Sequence, residues 1–171
     1  MTYLPPRLIA SSDVVDDFQC RSSEQTLWLQ RHAKQSAAAN STTVFVVTES
    51  NSANVAAYYA WRMAEVGLSD APPRITRGVG RYPQPVALLA RLGVDERHEG
   101  HGLGAGMLRD AVSRMLLIGH EIGCRGLLIH AENDDARNFY LHLVPELEPS
   151  PTDSLHLVLL TKDARRTLEL P

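Results

Sequence analysis

Cysteine is scarce in this chain, with only Cys20 and Cys124 among its 171 residues. Neither has another cysteine or a histidine at the spacing of a zinc site, so free thiols are predicted rather than a disulfide scaffold or a metal centre. No apolar run approaches the roughly 20 residues that span a bilayer, and the first residues lack the apolar segment of a signal peptide. These absences predict a soluble, cytoplasmic protein without a membrane contact.

An excess of positive charge is also lacking. Seventeen Lys and Arg stand against twenty Asp and Glu, which gives a formal net charge of -3. Proteins that bind nucleic acid through their overall charge are basic, so any such contact here must use a local cluster of cations. The 44% hydrophobic and 22% charged residues are typical of globular chains. We therefore expect one compact domain, residues 1–171.

The predicted elements alternate between strands and helices. Runs of β-branched and apolar residues predict five strands, at 42–48, 54–66, 86–94, 125–131 and 155–161. Helices are predicted as a short turn from Asp13 to about Phe18, a longer helix from Ser23, an amphipathic helix from Gly102 to about Ile122, and one from Asp135 to about His142. The first two strands are expected to form a hairpin. The proline-rich segment 67–85 is predicted to be an irregular loop.

The most informative segment is EGHGLG, Glu99–Gly104, which joins a predicted buried strand to the amphipathic helix. Its glycines, Gly100, Gly102 and Gly104, permit positive φ and a close approach of the backbone to a ligand. A helix N-terminus presents unpaired N–H groups to an anion, so the segment predicts a pyrophosphate site. An ordinary strand-to-helix turn is the alternative. A P-loop and a dinucleotide fingerprint are excluded, because no lysine follows and the glycine spacing is G-x-G-x-G.

Two motifs resemble those of the GCN5-related N-acetyltransferases (GNAT). The family pattern R/Q-x-x-G-x-G/A is matched by Glu99–Gly104 at all but its first position, and N-x-x-A-x-x-F-Y is matched completely by Asn133–Tyr140. The Tyr58-Tyr59 pair and the strand PVALLARLGVD are similar to the TacT-type acetyltransferase toxins of bacterial toxin-antitoxin systems. The resemblance implies the α/β (α+β) GNAT fold, a mixed central sheet with splayed central strands flanked by helices.

The family uses acetyl-CoA as the acetyl donor, and the resemblance implies which residues bind it. Backbone groups of one strand would pair with the pantetheine arm and the glycine turn would hold the pyrophosphate. The implied cofactor-binding residues are Leu92, Val94, Glu99, Gly100, His101, Gly102, Leu103, Gly104 and Asn133. Glu99 departs from the pattern, since a carboxylate near a pyrophosphate is unfavourable unless it points away or pairs with a neighbour such as Arg97 or His101. For Asn133, a plain helix N-cap is the alternative.

Tyr140 is the catalytic residue that the resemblance implies. A phenol with an ordinary pKa near ~10 can protonate or hydrogen-bond the departing CoA thiolate, and such general acids contribute ~10²- to 10⁴-fold in rate. A half-buried aromatic residue beside Phe139 is the alternative. The glycine that usually follows this helix in the family is missing, so Pro145 is expected to end the helix. The histidines form no recognisable ligand set, and no metal is predicted.

The resemblance to the toxins implies acetylation of the α-amino group of aminoacyl-tRNA and inhibition of translation. Candidates for tRNA contact are Arg74, Arg77 and Arg81 in the loop and Arg91 on the strand. Solvated loop arginines, with Arg91 paired to an acidic neighbour, are the alternative. A ribbon-helix-helix antitoxin and a homodimer are the implied partners. Two other functions stay open: acetylation of a protein or small-molecule amine, and CoA binding without turnover.

Overall fold

The structure, a computed structural model, describes residues 1–169. Its strands are β1 (Arg7–Leu8), β2 (Thr43–Thr48), β3 (Val55–Val66), β4 (Gln84–Val94), β5 (Gly126–His130), β6 (Glu148–Pro149) and β7 (His156–Leu160). Its helices are α1 (Ser23–Arg31), α2 (Ala33–Ala38), α3 (Pro73–Thr76), α4 (Leu103–Glu121), α5 (Asp134–Leu143) and α6 (Thr161–Glu169).

The strands form one sheet in the order β1-β2-β3-β4-β5-β7-β6. β4 and β5 are parallel, with Ala87 opposite Leu127, whereas β1 pairs antiparallel with β2, β2 with β3, β5 with β7, and β6 with β7. The predicted mixed sheet of an α/β protein is thus confirmed. By its contacts the chain divides into two compact units, and the single domain 1–171 stays a prediction.

The first unit comprises Met1–Arg62 and Ala90–Asp110. Its centre is the predicted β2–β3 hairpin, whose β-branched and aromatic residues are buried on both faces of the sheet. The Tyr58 ring meets Phe18 edge-on at 5.5 Å and stacks on Trp28 at 6.1 Å, which joins α1 to the hairpin. α1 begins where predicted, because the Ser22 hydroxyl accepts the amide N–H of Gln25.

The second unit comprises Met63–Leu89 and the chain from Ala111 onward. The apolar residues of β5 and β7 form continuous runs and are buried in its core. The carboxylate of Asp163, at the start of α6, is 1% exposed and binds Arg74 of α3 at 2.9 Å. This ion pair ties the proline-rich segment to the last helix. None of the helices within residues 1–169 is long and apolar enough to cross a membrane.

Several local predictions are wrong. The expected helical turn after Asp13 is absent, because that carboxylate accepts the Ala10 amide at 2.7 Å and binds Arg7, which holds the segment in a turn. The long helix from Ser23 is broken at His32 into α1 and α2. Four elements were not predicted: β1, β6, α3 and α6. The first three are too short to carry a periodic pattern, and α6 has only two apolar residues, Ala164 and Leu168, which are too few to predict a helix from their spacing.

Candidate active site

The glycine turn leads from the carboxyl end of β4 to the first turn of α4. Gly100 and Gly102 have φ of 80° and 74°, a region that favours glycine, and a Cβ at either position would meet only open space. The expectation of positive φ at Gly104 is wrong, because that residue already lies in α4. The first helical bond runs from the Gly106 amide to the Gly102 carbonyl, so the amides of 103–105 have no acceptor in the helix. This arrangement suits an anion.

The turn is held by Asp95, which follows β4 directly and is fully buried. Its carboxylate accepts the amides of Gln19 and Arg97, at 3.0 and 2.9 Å, and binds the Arg97 guanidinium at 2.8 and 2.9 Å. Burial by itself raises the pKa of Asp95, but the hydrogen bonds from Arg97 and the two amides hold that pKa below its ordinary value. Asp95 therefore stays ionised and fixes the start of the turn.

Glu99, which departs from the family pattern, is paired with Arg21. The Arg21 guanidinium donates from Nε and Nη2 to the two carboxylate oxygens at 2.8 and 2.6 Å, a bidentate ion pair. The predicted pairing of Glu99 with Arg97 or His101 is wrong. Arg97 binds Asp95, and the centre of the His101 ring lies 5.8 Å from that of the Tyr3 ring. A local negative charge at the turn is thus neutralised by a residue 78 positions away in the chain.

Leu92 and Val94 lie in the last three residues of β4, on the same face of the strand by their spacing. Both are half-buried, whereas Gly93 between them is buried against Phe18, Cys20 and Tyr58. Their pairing with a pantetheine arm stays a prediction.

Asn133 and Tyr140 belong to the second unit and to one helix, α5. The Asn133 side chain accepts the Ala136 amide at 2.9 Å, so it acts as the N-cap that was one of its two predicted roles. A cofactor contact of Asn133 stays a prediction. α5 ends at Leu143, and the extended backbone of Val144 precedes Pro145, as the sequence predicted.

Tyr140 lies on the buried face of α5 and is only 7% exposed. Its ring meets that of the more exposed Phe139 edge-on at 5.3 Å. No hydrogen bond from residues 1–168 engages the Tyr140 hydroxyl. Burial, and to a smaller extent the carboxylate of Glu132, raises the pKa of Tyr140 far above its ordinary value. The side chain is therefore a neutral phenol at neutral pH and well above it.

Two of the four arginines predicted to contact tRNA are engaged in ion pairs. Arg74 binds Glu148 at 2.5 Å and Asp163 at 2.9 Å. Arg91 binds Glu24 at 3.1 Å and lies 5.0 Å from the centre of the Trp28 ring, which matches the alternative of an acidic neighbour. Arg77 and Arg81 are exposed. The part of all four in RNA binding stays a prediction.

β4 thus runs through the glycine turn into α4, and the capped helix α5 with Tyr140 follows later in the chain. This order of elements can be compared with that of known proteins. The profile of the acetyltransferase (GNAT) family matches residues 13–143. The chain belongs to the GNAT family of acetyltransferases. This assignment confirms the resemblance that the two motifs indicated.

Similar GNAT proteins include named toxins. A tRNA-acetylating toxin of Mycobacterium tuberculosis is 39% identical over 163 residues, which cover 95% of each chain. A probable toxin TacT of Sinorhizobium fredii is 26% identical over 83% of this chain and 82% of its own.

Among solved structures, a tyrosine-to-phenylalanine mutant of KacT has a TM-score of 0.89 at 19% identity, covering 97% of this chain and 99% of its own. AtaT complexed with acetyl-methionyl-tRNAfMet has a TM-score of 0.87 at 18% identity, covering 96% and 98%. These likenesses show that the GNAT fold is shared.

Sequence reasoning missed two residues of the GNAT turn. The position of Asp95 directly after a buried strand could have indicated its part in the turn. Arg21 had no signal, because its pairing with Glu99 joins distant parts of the chain. No group of three or more His, Cys, Asp or Glu side chains in the described part of the chain could hold a metal ion.

Proposed function

We propose that this chain is an acetyltransferase toxin that transfers the acetyl group of acetyl-CoA to the α-amino group of aminoacyl-tRNA and thereby inhibits translation. The observation that carries the proposal is the 39% identity to a tRNA-acetylating toxin over 95% of both chains. The likeness to AtaT, which was solved with acetyl-methionyl-tRNAfMet, gives further support. The neutral phenol of Tyr140 supplies the chemistry.

The glycine turn is the proposed site for the pyrophosphate of acetyl-CoA. The amide N–H groups of 103–105 have no acceptor in α4 and point along the helix axis. The positive end of the helix dipole also favours an anion at this position. The open space beside Gly100 and Gly102 allows a phosphate to approach the backbone. Backbone groups of Leu92 and Val94 would bind the pantetheine arm. The cofactor-binding set is completed by the backbone of Glu99 and by His101, Leu103, Gly104 and Asn133.

Tyr140 is the proposed general acid. The nitrogen of the amine attacks the thioester carbonyl, a C–N bond forms, and the C–S bond breaks. The leaving thiolate takes a proton from the Tyr140 hydroxyl, and the proton that the amine loses restores the phenol. Tyr140 is protonated at neutral pH, as any phenol is, and burial extends this state further into the alkaline range. The α-amine of an aminoacyl ester is unusually acidic, so a large fraction is already neutral near pH 7 and needs no dedicated base.

The test is transfer of labelled acetyl from acetyl-CoA to bulk aminoacyl-tRNA. We expect label on charged tRNA with the native protein, and ~10²- to 10⁴-fold slower transfer with Tyr140→Phe. Tyr82→Phe is the matched control, because it removes the hydroxyl of a tyrosine that is 58% exposed in the loop. A protein that binds acetyl-CoA but leaves tRNA unlabelled would overturn the proposal. A panel of protein and small-molecule amines would then separate another acetyltransferase from a CoA-binding module.

A ribbon-helix-helix antitoxin and a homodimer are the proposed partners. AtaT was solved bound to the C-terminus of the antitoxin AtaR, and KacTA was solved as a DNA complex. Co-expression with any small DNA-binding protein encoded beside this gene should relieve growth arrest. Light scattering of the purified toxin should give twice the chain mass of 18.9 kDa, and a mass of one chain would refute the dimer.

A further inference from the structure

The second unit contains a cavity of about 450 Å³ whose charged lining is entirely cationic. Its charged residues are Arg74, Arg77, Arg125, Lys162 and Arg165. They come from α3, the segment after it, the residue before β5, and α6. Five cations around one concavity are unexpected in a chain with a net charge of -3. The fold has therefore concentrated positive charge at one place.

Two of the five cations already have partners. Arg74 binds Glu148 and Asp163, and Arg125 donates to the Ile75 carbonyl at 2.8 and 3.1 Å. These contacts fix the two guanidinium groups in the wall of the cavity.

The other three, Arg77, Lys162 and Arg165, are exposed and form no ion pair with any side chain of residues 1–168. Within that range, the cavity keeps three positive charges that no carboxylate balances.

The cavity lies at the amino end of β5, and the start of α5 follows the other end. Cys124 and Arg125 line the cavity and precede β5, whereas Asn133, the N-cap of α5, follows its carboxyl end. A five-residue strand is ~16 Å long, so one small ligand cannot contact both ends. An extended substrate such as RNA is long enough to do so.

We propose that this cavity binds backbone phosphates of the tRNA substrate, at a distance from the amine that is acetylated. The proposal rests on the proposed function, because it takes aminoacyl-tRNA as the substrate. Arginine forks and a lysine ammonium suit phosphate oxygens, and phosphate contacts dominate the affinity of proteins for nucleic acid. A chain with net negative charge repels RNA on average, so a local cluster of unpaired cations is the surface on which RNA can bind.

The variant Arg77→Gln/Arg165→Gln removes two of these cations. Its matched control is Arg31→Gln/Arg62→Gln, which removes two exposed arginines of the first unit that have no ion pair within the described chain. We expect the first variant to bind uncharged tRNA at least tenfold more weakly and to lower the slope of log affinity against log salt by ~2. The control should keep the native slope. Arg77→Lys/Arg165→Lys should keep it too, because the charges remain.

The same variants are then assayed for acetyl transfer. With aminoacyl-tRNA, the cavity variant should show a raised KM at unchanged kcat. With a minimal acceptor that lacks the RNA body, such as methionine amide, it should match the native enzyme. If native protein acetylates tRNA but the cavity variant behaves like the control, the inference fails while the proposed function survives. If the native protein binds a polyglutamate peptide at this cavity but does not bind tRNA there, the inference is also overturned, in favour of an acidic protein partner.

Discussion

The ion pair between Arg21 and Glu99 should determine how well the glycine turn tolerates a pyrophosphate. The Glu99 carboxylate is one-third exposed at the turn and is bound by both Nε and Nη2 of Arg21. Arg21→Gln removes the guanidinium and leaves an unbalanced carboxylate beside the proposed pyrophosphate site. We expect this variant to bind acetyl-CoA more weakly.

The magnitude follows from Coulomb's law. Two unit charges ~6 Å apart interact by about 0.7 kcal/mol in water and about 3 kcal/mol at an effective dielectric constant of 20. The Arg21 side chain is 82% exposed, so values toward the lower limit apply. About 1 to 2 kcal/mol of repulsion corresponds to a ~5- to 30-fold rise in the Kd for acetyl-CoA.

The assay is calorimetric titration of the native protein, Arg21→Gln, Glu99→Gln and the double variant. The double variant should regain most of the lost affinity, because it removes both charges, and Glu99→Gln alone should not weaken binding. The same titrations with acetyl-pantetheine, which lacks the pyrophosphate, should show no difference among the four proteins. The loss should also shrink at high salt. Equal losses in Arg21→Gln and the double variant, or a loss that persists with acetyl-pantetheine, would refute the reasoning.

Three further predictions concern pH and the backbone. The pKa values of Asp95 and Asp163 are below their ordinary value, so these carboxylates stabilise the fold above about pH 4. The stabilisation is lost as the pH falls through the folded-state pKa values. In urea unfolding, the free energy of unfolding should therefore drop less between pH 5 and pH 3 for Asp95→Asn than for the native protein. Because the pKa of Tyr140 is raised, kcat should not fall between pH 7 and about pH 10, and a downturn within that range would contradict the general-acid role. Gly102→Ala places a side chain at positive φ and should cost about 1 to 2 kcal/mol and weaken acetyl-CoA binding in thermal-shift titrations, whereas Gly106→Ala, inside α4, should do neither.

Local patterns in the sequence determined most of the elements and the identity of the candidate site. The β-branched run of β2, the apolar stripe of α4 and the cap at Asn133 each depend on neighbours within a few residues, so their outcome can be predicted from a short window. The glycine turn and the helix with Tyr140 are likewise continuous segments. The family motifs are legible for the same reason.

Tertiary structure decided which charges are balanced. Arg21 neutralises Glu99, Arg74 is held by Asp163, and Arg77 lies in one cavity with Arg165, each across tens of residues. An ion pair between distant residues leaves no periodic trace, because either partner alone is an ordinary surface charge. The fold also raised the pKa of Tyr140 through burial, which depends on the packing around the ring rather than on its neighbours in the chain. The surrounding core therefore keeps Tyr140 protonated further into the alkaline range than an exposed tyrosine.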